Sequence, residues 1–180
     1  MAPALLTVAA ALLPVPARAV DLRHDVQAFA VAADGTRFAV ARDGNWVDVR
    51  DAATGKVTES VRFNDPDQVR AVAFAPDGRT LYGVAEGNHD LRAWDAATGD
   101  LRWAAGGHVG GAVAVAVSGD GATVVTGGAD GLVRVFAADG TLRRALGDPE
   151  DGRPVAAVAV SPDGRFAAAG MQTAVPAGGG

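Results

Sequence analysis

An all-β chain built from small antiparallel sheets is what this sequence predicts, and three observations predict it. Asp-Gly follows an apolar run at Asp34-Gly35, Asp77-Gly78, Asp120-Gly121 and Asp163-Gly164, each pair 43 residues beyond the last. A second series keeps step: "VRDAATGK" and "AWDAATGD" place Asp51 and Asp95 44 residues apart. The runs between these corners are short, rich in valine and without helical spacing, as strands are. A constant period of this length marks one small unit copied and stacked along the chain.

The units fall at about 20–63, 64–105, 106–146 and 147–170. The second is the most legible. "VRAVAFAPDGRTLYGVA" (Val69–Ala85) is a run, an Asp-Gly corner and a second run, which together predict a hairpin. Glycine takes positive φ there without a steric cost, and the aspartate bonds the neighbouring backbone. A short polar loop leads to a third run, Leu91–Trp94, then the DAATG turn, then a fourth, Leu101–Ala104. The first unit repeats the later corner in "VDVRDAATGKVTESV". The third opens on "AVAVAV" (Ala112–Val117) and the fourth on "VAAVAV" (Val155–Val160). Those runs are apolar on both faces, whereas a half-solvated antiparallel sheet alternates apolar with polar. Each sheet therefore has neighbours above and below, and four-stranded sheets stacked around an axis form a β-propeller.

The ring is expected to be incomplete, with about three and a half blades. The fourth unit supplies "VAAVAV" and "RFAAAG" (Arg165–Gly170) and then passes into "MQTAVPAGGG", expected to be a Gly/Pro-rich disordered tail over 171–180. Propellers close with 4–8 blades. An open arc uncovers two blade faces; ~400 Å² on each would forfeit about 10 kcal/mol at ~25 cal/mol per Å². Three readings stand: a fragment of a longer propeller, closure by a second copy of the chain, or a tight four-bladed ring.

Composition narrows the function. The 180 residues are 49% hydrophobic and 21% charged, a globular balance. A net charge of −5 repels nucleic acid, and no stable membrane insertion is expected. With no cysteine, disulfides, thiolate catalysis and thiolate zinc sites are excluded. Residues 1–19 read as a secretory signal peptide: an apolar stretch from Ala4 to Leu13 is followed by Ala17-Arg18-Ala19. The mature, periplasmic or extracellular chain would begin near Val20. The start carries no positive residue, so an ordinary apolar segment or a misassigned start is the alternative, and the chain would then be cytoplasmic.

Two dipeptides carry a family resemblance. Trp94-Asp95 ends a third strand, and Gly107-His108 precedes a first. With the 43-residue period, these make residues 26–170 resemble the WD-repeat family of β-propellers. That resemblance implies a buried hydrogen-bond relay inside each blade, formed by His, Ser or Thr, Asp and Trp. The third unit aligns as His108, Thr126, Asp130 and Phe136, with Phe136 lacking the indole donor. The second aligns Trp94, but has Asn88 where the aspartate belongs and Asp65-Pro66 in place of Gly-His. Secreted propellers with valine-rich repeats of similar length match the first unit about as well.

No catalytic constellation is found. His24, His89 and His108 lie in different units, without metal-ligand spacing. Ser118 and Ser161 precede turns. "GGHVGG" precedes a strand, whereas a phosphate cradle opens a helix. "DPEDG" (Asp148–Gly152) lacks the ligand spacing of a calcium loop. No cofactor is expected. Trp46, Trp94 and Trp103 are expected to fill gaps between blades. The rim that carries the inter-blade connections and the loops between second and third strands holds Asp65, Asp67, Glu86, His89, Asp148, Glu150 and Asp151 against Arg42 and Arg153. The opposite rim is expected to pair Asp34 with Arg37, Asp77 with Arg79 and Asp163 with Arg165.

The resemblance implies a non-catalytic interaction scaffold, with the acidic rim facing a protein partner that is basic. The alternative is a secreted propeller enzyme or enzyme subunit, a lactonase-like hydrolase or dehydrogenase subunit, with its site on the central axis.

Overall fold

The computed structural model describes residues 26–42, 45–63, 68–86, 91–148, 150 and 152–172. Fourteen strands and no α-helix occur among them. The first blade is β1 (Ala28–Val31), β2 (Arg37–Arg42), β3 (Trp46–Asp51) and β4 (Val57–Arg62). The second is β5 (Val69–Phe74), β6 (Thr80–Ala85), β7 (Leu91–Asp95) and β8 (Leu101–Ala105). The third is β9 (Ala112–Val117), β10 (Thr123–Gly128), β11 (Val133–Ala137) and β12 (Leu142–Leu146). β13 (Val155–Val160) and β14 (Ala167–Met171) pair as a two-stranded half-blade. Within each sheet the strands lie in chain order and pair antiparallel. First strands stack on one another, β1 on β5, β5 on β9 and β9 on β13, so the sheets form an arc of a propeller.

The Asp-Gly corners share one geometry. Gly35, Gly78, Gly121 and Gly164 have φ of 67, 66, 71 and 67°, which only glycine adopts freely. The paired aspartates accept from the backbone two residues on: Thr36 N–H to Asp34 at 2.9 Å, Arg79 to Asp77 at 2.9 Å, Ala122 to Asp120 at 2.9 Å and Arg165 to Asp163 at 3.1 Å. This differs from the ion pairs expected on that rim. Backbone amides lie nearer than any arginine, so each carboxylate caps its own turn. Arg37 instead crosses to the second blade and donates to Gly78 C=O at 2.8 Å.

Apolar clusters fill the blade junctions. Val47, Val49, Val69, Leu81 and Trp94 lie in the first; Tyr82, Leu91, Ala93, Val124 and Phe136 in the second; Val125, Val133 and Val155 in the third. Trp94 and Trp103 work at junctions as expected. Trp94 meets Phe63 edge-on at 4.9 Å, and Trp103 Nε1 donates to Ala138 C=O at 3.1 Å. Trp46 differs: it stays on its own sheet, with the guanidiniums of Arg42 and Arg62 at 5.6 and 5.3 Å. Those three residues form one cross-strand row, and cations over indole rings attract.

Among the described residues neither end of the arc is covered. Phe29 and Val31 on β1 are 49% and 60% exposed, and Phe166 beside β14 is 71% exposed. The last strand is Ala167–Met171, where the sequence predicts Arg165–Gly170, because Ser161 and Phe166 close the turn. Met171 therefore belongs to the sheet, and Gln172 N–H donates to Pro154 C=O at 2.8 Å. The tail expected from 171 is ordered through Gln172; the remainder lies outside the described residues, as does the apolar segment 1–19. Among the described residues no helix is long and apolar enough to cross a membrane.

Candidate interaction rim and its buried relay

One rim of the third blade is organised around His108. The chain enters it through Gly107, Gly110 and Gly111, whose φ values of 143, 80 and 91° allow a tight path. His108 Nδ1 lies 2.8 Å from Asp130 Oδ1, and Nε2 lies 2.8 Å from Thr126 Oγ1. Both ring nitrogens are engaged, and the side chain is 1% exposed, so the imidazole is closed to substrates and metals. The backbone makes room for it: a Cβ on Gly128 would collide with the ring and with the Asp130 carboxylate.

Asp130 is the hub. It accepts from Val109 N–H at 3.0 Å, Leu132 N–H at 3.1 Å and Arg134 Nη1 at 2.9 Å. Burial pushes its carboxyl up, but the bonds from His108, Arg134 and the two amides outweigh it and hold the pKa at about 2. Val109 stands before β9 and Leu132 between β10 and β11, so one carboxylate ties two loops of the same rim. On the first of them Val109 is 77% exposed.

Phe136, aligned with the relay in the sequence, does not join it. It pairs with Val124 and is buried at the junction with the second blade. Arg134 takes part instead, because it lies directly across from Thr126 in the β10–β11 register. Sequence reasoning missed it; the signal was its place two residues before the expected Trp position, on the face that Thr126 occupies.

The other blades fill the same place differently. Val40, Gly83 and Thr126 recur every 43 residues and pair with Asp48, Arg92 and Arg134. In the second blade Phe63 and Trp94 occupy the space; a Cβ on Gly83 would meet both rings at 3.0 Å. Arg92 lies over the Phe63 ring at 5.1 Å. In the first, buried Asp48 accepts from Arg42 at 3.0 Å, Arg50 at 3.2 Å and Ser60 at 2.8 Å.

The acidic rim is only partly placed. Glu86 pairs with Arg70 through Nε at 2.9 Å and through Nη2, so its charge is neutralised locally. Asp148 accepts from Glu150 N–H at 2.9 Å, folding its own loop. Asp65, Asp67, Asn88, His89 and Asp151 lie outside the described residues, as does His24. Ser118 and Ser161 hold their turns, each donating to Asp120 at 2.5 Å or Asp163 at 2.6 Å. No group of three or more His, Asp or Glu able to hold a metal occurs among the described residues.

Comparison with known proteins agrees with this geometry. Residues 101–136 match the family model described as WD domain, G-beta repeat. The match runs from β8 through β11 and ends at Phe136, one strand out of phase with the blade. An uncharacterized WD repeat-containing protein of Synechocystis sp. is 37% identical over 98 residues, 54% of this chain. The matched stretch spans only 28% of that relative's length.

Proposed function

We propose that this WD-repeat protein is a non-catalytic scaffold that binds a protein partner on the rim held by Asp130. One observation carries the reading. A single buried carboxylate fixes two loops of one rim, and on one of them Val109 is 77% exposed. A rigid surface with an apolar anchor loses little conformational entropy on binding. WD repeats suggest interaction scaffolds generally, and His108 is enclosed as a structural group.

The partner's contact face is basic in this reading. The acid excess that the sequence assigns to that rim comes from Asp65, Asp67, Asp148, Glu150 and Asp151, since Arg70 offsets Glu86. Pull-down with the purified chain, followed by identification of retained proteins, tests it. Val109→Asp should lose the retained partner, and raising salt to ~0.5 M should weaken retention by screening exposed charge. Retention indifferent to both changes would overturn the rim as the contact face.

A further inference from the structure

Asp130 divides its two oxygens between two tasks. An ionised carboxylate only accepts, so His108 Nδ1–H donates to Oδ1 at 2.8 Å, beside Leu132 N–H at 3.1 Å. Oδ2 accepts from Val109 N–H at 3.0 Å and from Arg134 Nη1 at 2.9 Å. Each oxygen therefore holds one loop amide and one side chain. The two side chains lead to different places. His108 passes inward to Thr126 Oγ1 at 2.8 Å, which ties Oδ1 to the frame of the blade. Arg134 reaches from β11 to the loop that carries Val109, which ties Oδ2 to the rim.

The guanidinium is held on several sides. Its side chain is 11% exposed and that of Asp130 is 7%, so little water competes for the pair. It meets the Val109 loop at a second point. A Cβ on Gly107 would come within 3.0 Å of Arg134 Nε, so the bare glycine seats the arginine. Arg134 Nη1 also lies against His108 Nδ1. The last torsion of a carboxylate is soft, and one amide from an exposed loop would not stop it turning. A charged donor on the same oxygen does. In the second blade the corresponding arginine, Arg92, lies over the Phe63 ring, and in the first the place is taken by Asp48. Among the described residues this clamp is found in the third blade alone.

We infer that Arg134 is the positioning residue of this rim: through Asp130 Oδ2 it fixes the backbone of Val109, whereas Thr126 supports the blade without governing the loop. The relay thus has two separable ends. What this means for a partner rests on the contact face proposed above; the placing of the loop does not.

Nuclear magnetic resonance of the full chain reads the loop directly. Arg134→Met should move the Val109 amide proton upfield, away from its carboxylate-bonded position. Hydrogen exchange there should speed up by roughly tenfold beyond any rise at the β10 amides, the worth of a hydrogen bond to a charged group. Arg134→Lys returns a charged donor to Oδ2 and should largely restore both signals. Thr126→Val should lower the melting temperature and leave the Val109 amide where it was. In the parent chain a clamped guanidinium gives separate Nη resonances, a readout that needs no variant to fold. Averaged Nη signals, a Val109 amide indifferent to Arg134→Met, no recovery in Arg134→Lys, or an equal displacement in Thr126→Val would each overturn the inference. Pull-down with Arg134→Met tests the other reading separately: a displaced Val109 with retention unchanged supports the role of Arg134 and overturns the contact face.

Discussion

A carboxylate that collects two backbone amides, an imidazole and a guanidinium is a concentrated stabiliser, and Asp130 is that residue here. Its pKa of about 2 lies below the ~3.9 of an unfolded aspartate. Between those values the unfolded chain takes up the proton first. The contribution is therefore complete above about pH 4 and lost as pH falls toward 2, and it is worth about 2 kcal/mol. Urea denaturation of the parent chain and Asp130→Asn should show that gap at pH 7 and its disappearance near pH 2. A gap independent of pH would mean that packing, and not charge, sets the role of Asp130. Asp95 is held at about 2 as well, first by Arg102 and then by the Ala97 amide, but it lies at the surface. Comparing Asp130→Asn with its parent cancels Asp95 and the Asp-Gly corners.

Each blade keeps the same hydrogen-bonded frame and fills one recurrent space by a different chemistry. Thr126 with His108 fills it in the third blade, and an aromatic pair over Gly83 does so in the second. In the first, a carboxylate lies between two arginines. The aromatic version leaves the least slack, since two rigid rings flank Gly83 and close packing transmits any intrusion. Gly83→Ala should cost about 1–3 kcal/mol by overpacking. Gly170→Ala, on a β14 position where a Cβ meets nothing within 4 Å, is the matched control and should be neutral. Thermal denaturation decides it: equal melting temperatures would show that Phe63 and Trp94 can yield. Strand β12 illustrates the opposite extreme, exposed along its whole length, because among the described residues the half-blade beside it has no third or fourth strand to cover it.

At the scale of the molecule, the arc formed by the described residues has two faces that its own blades do not cover. Phe29, Val31 and Phe166 are exposed there to a degree unusual for such residues. A purified monomer should therefore enhance the fluorescence of an apolar-surface dye, and Phe29→Ser with Phe166→Ser should reduce that signal. A monomer that binds no dye would contradict the open arc. The repeat, the turn corners and the three and a half blades of the described residues were readable in the sequence, apart from the bounds of β14, because a strict period fixes them locally. His108, Thr126 and Asp130 were named by the family resemblance, and they meet in the third blade as it implied. Arg134 was not, since its entry into the relay depends on a cross-strand register and Phe136 lay closer to the expected pattern. The fate of the rim charges also escaped the sequence. Glu86 meets Arg70, and Arg37 leaves Asp34 for Gly78, only once strands far apart in number lie side by side. What this chain determined by sequence alone is therefore its period and its turns, which need only neighbouring residues. Tertiary structure decided which charges are neutralised and which side chains fill each blade, because both depend on surfaces that meet only when strands pair and blades stack.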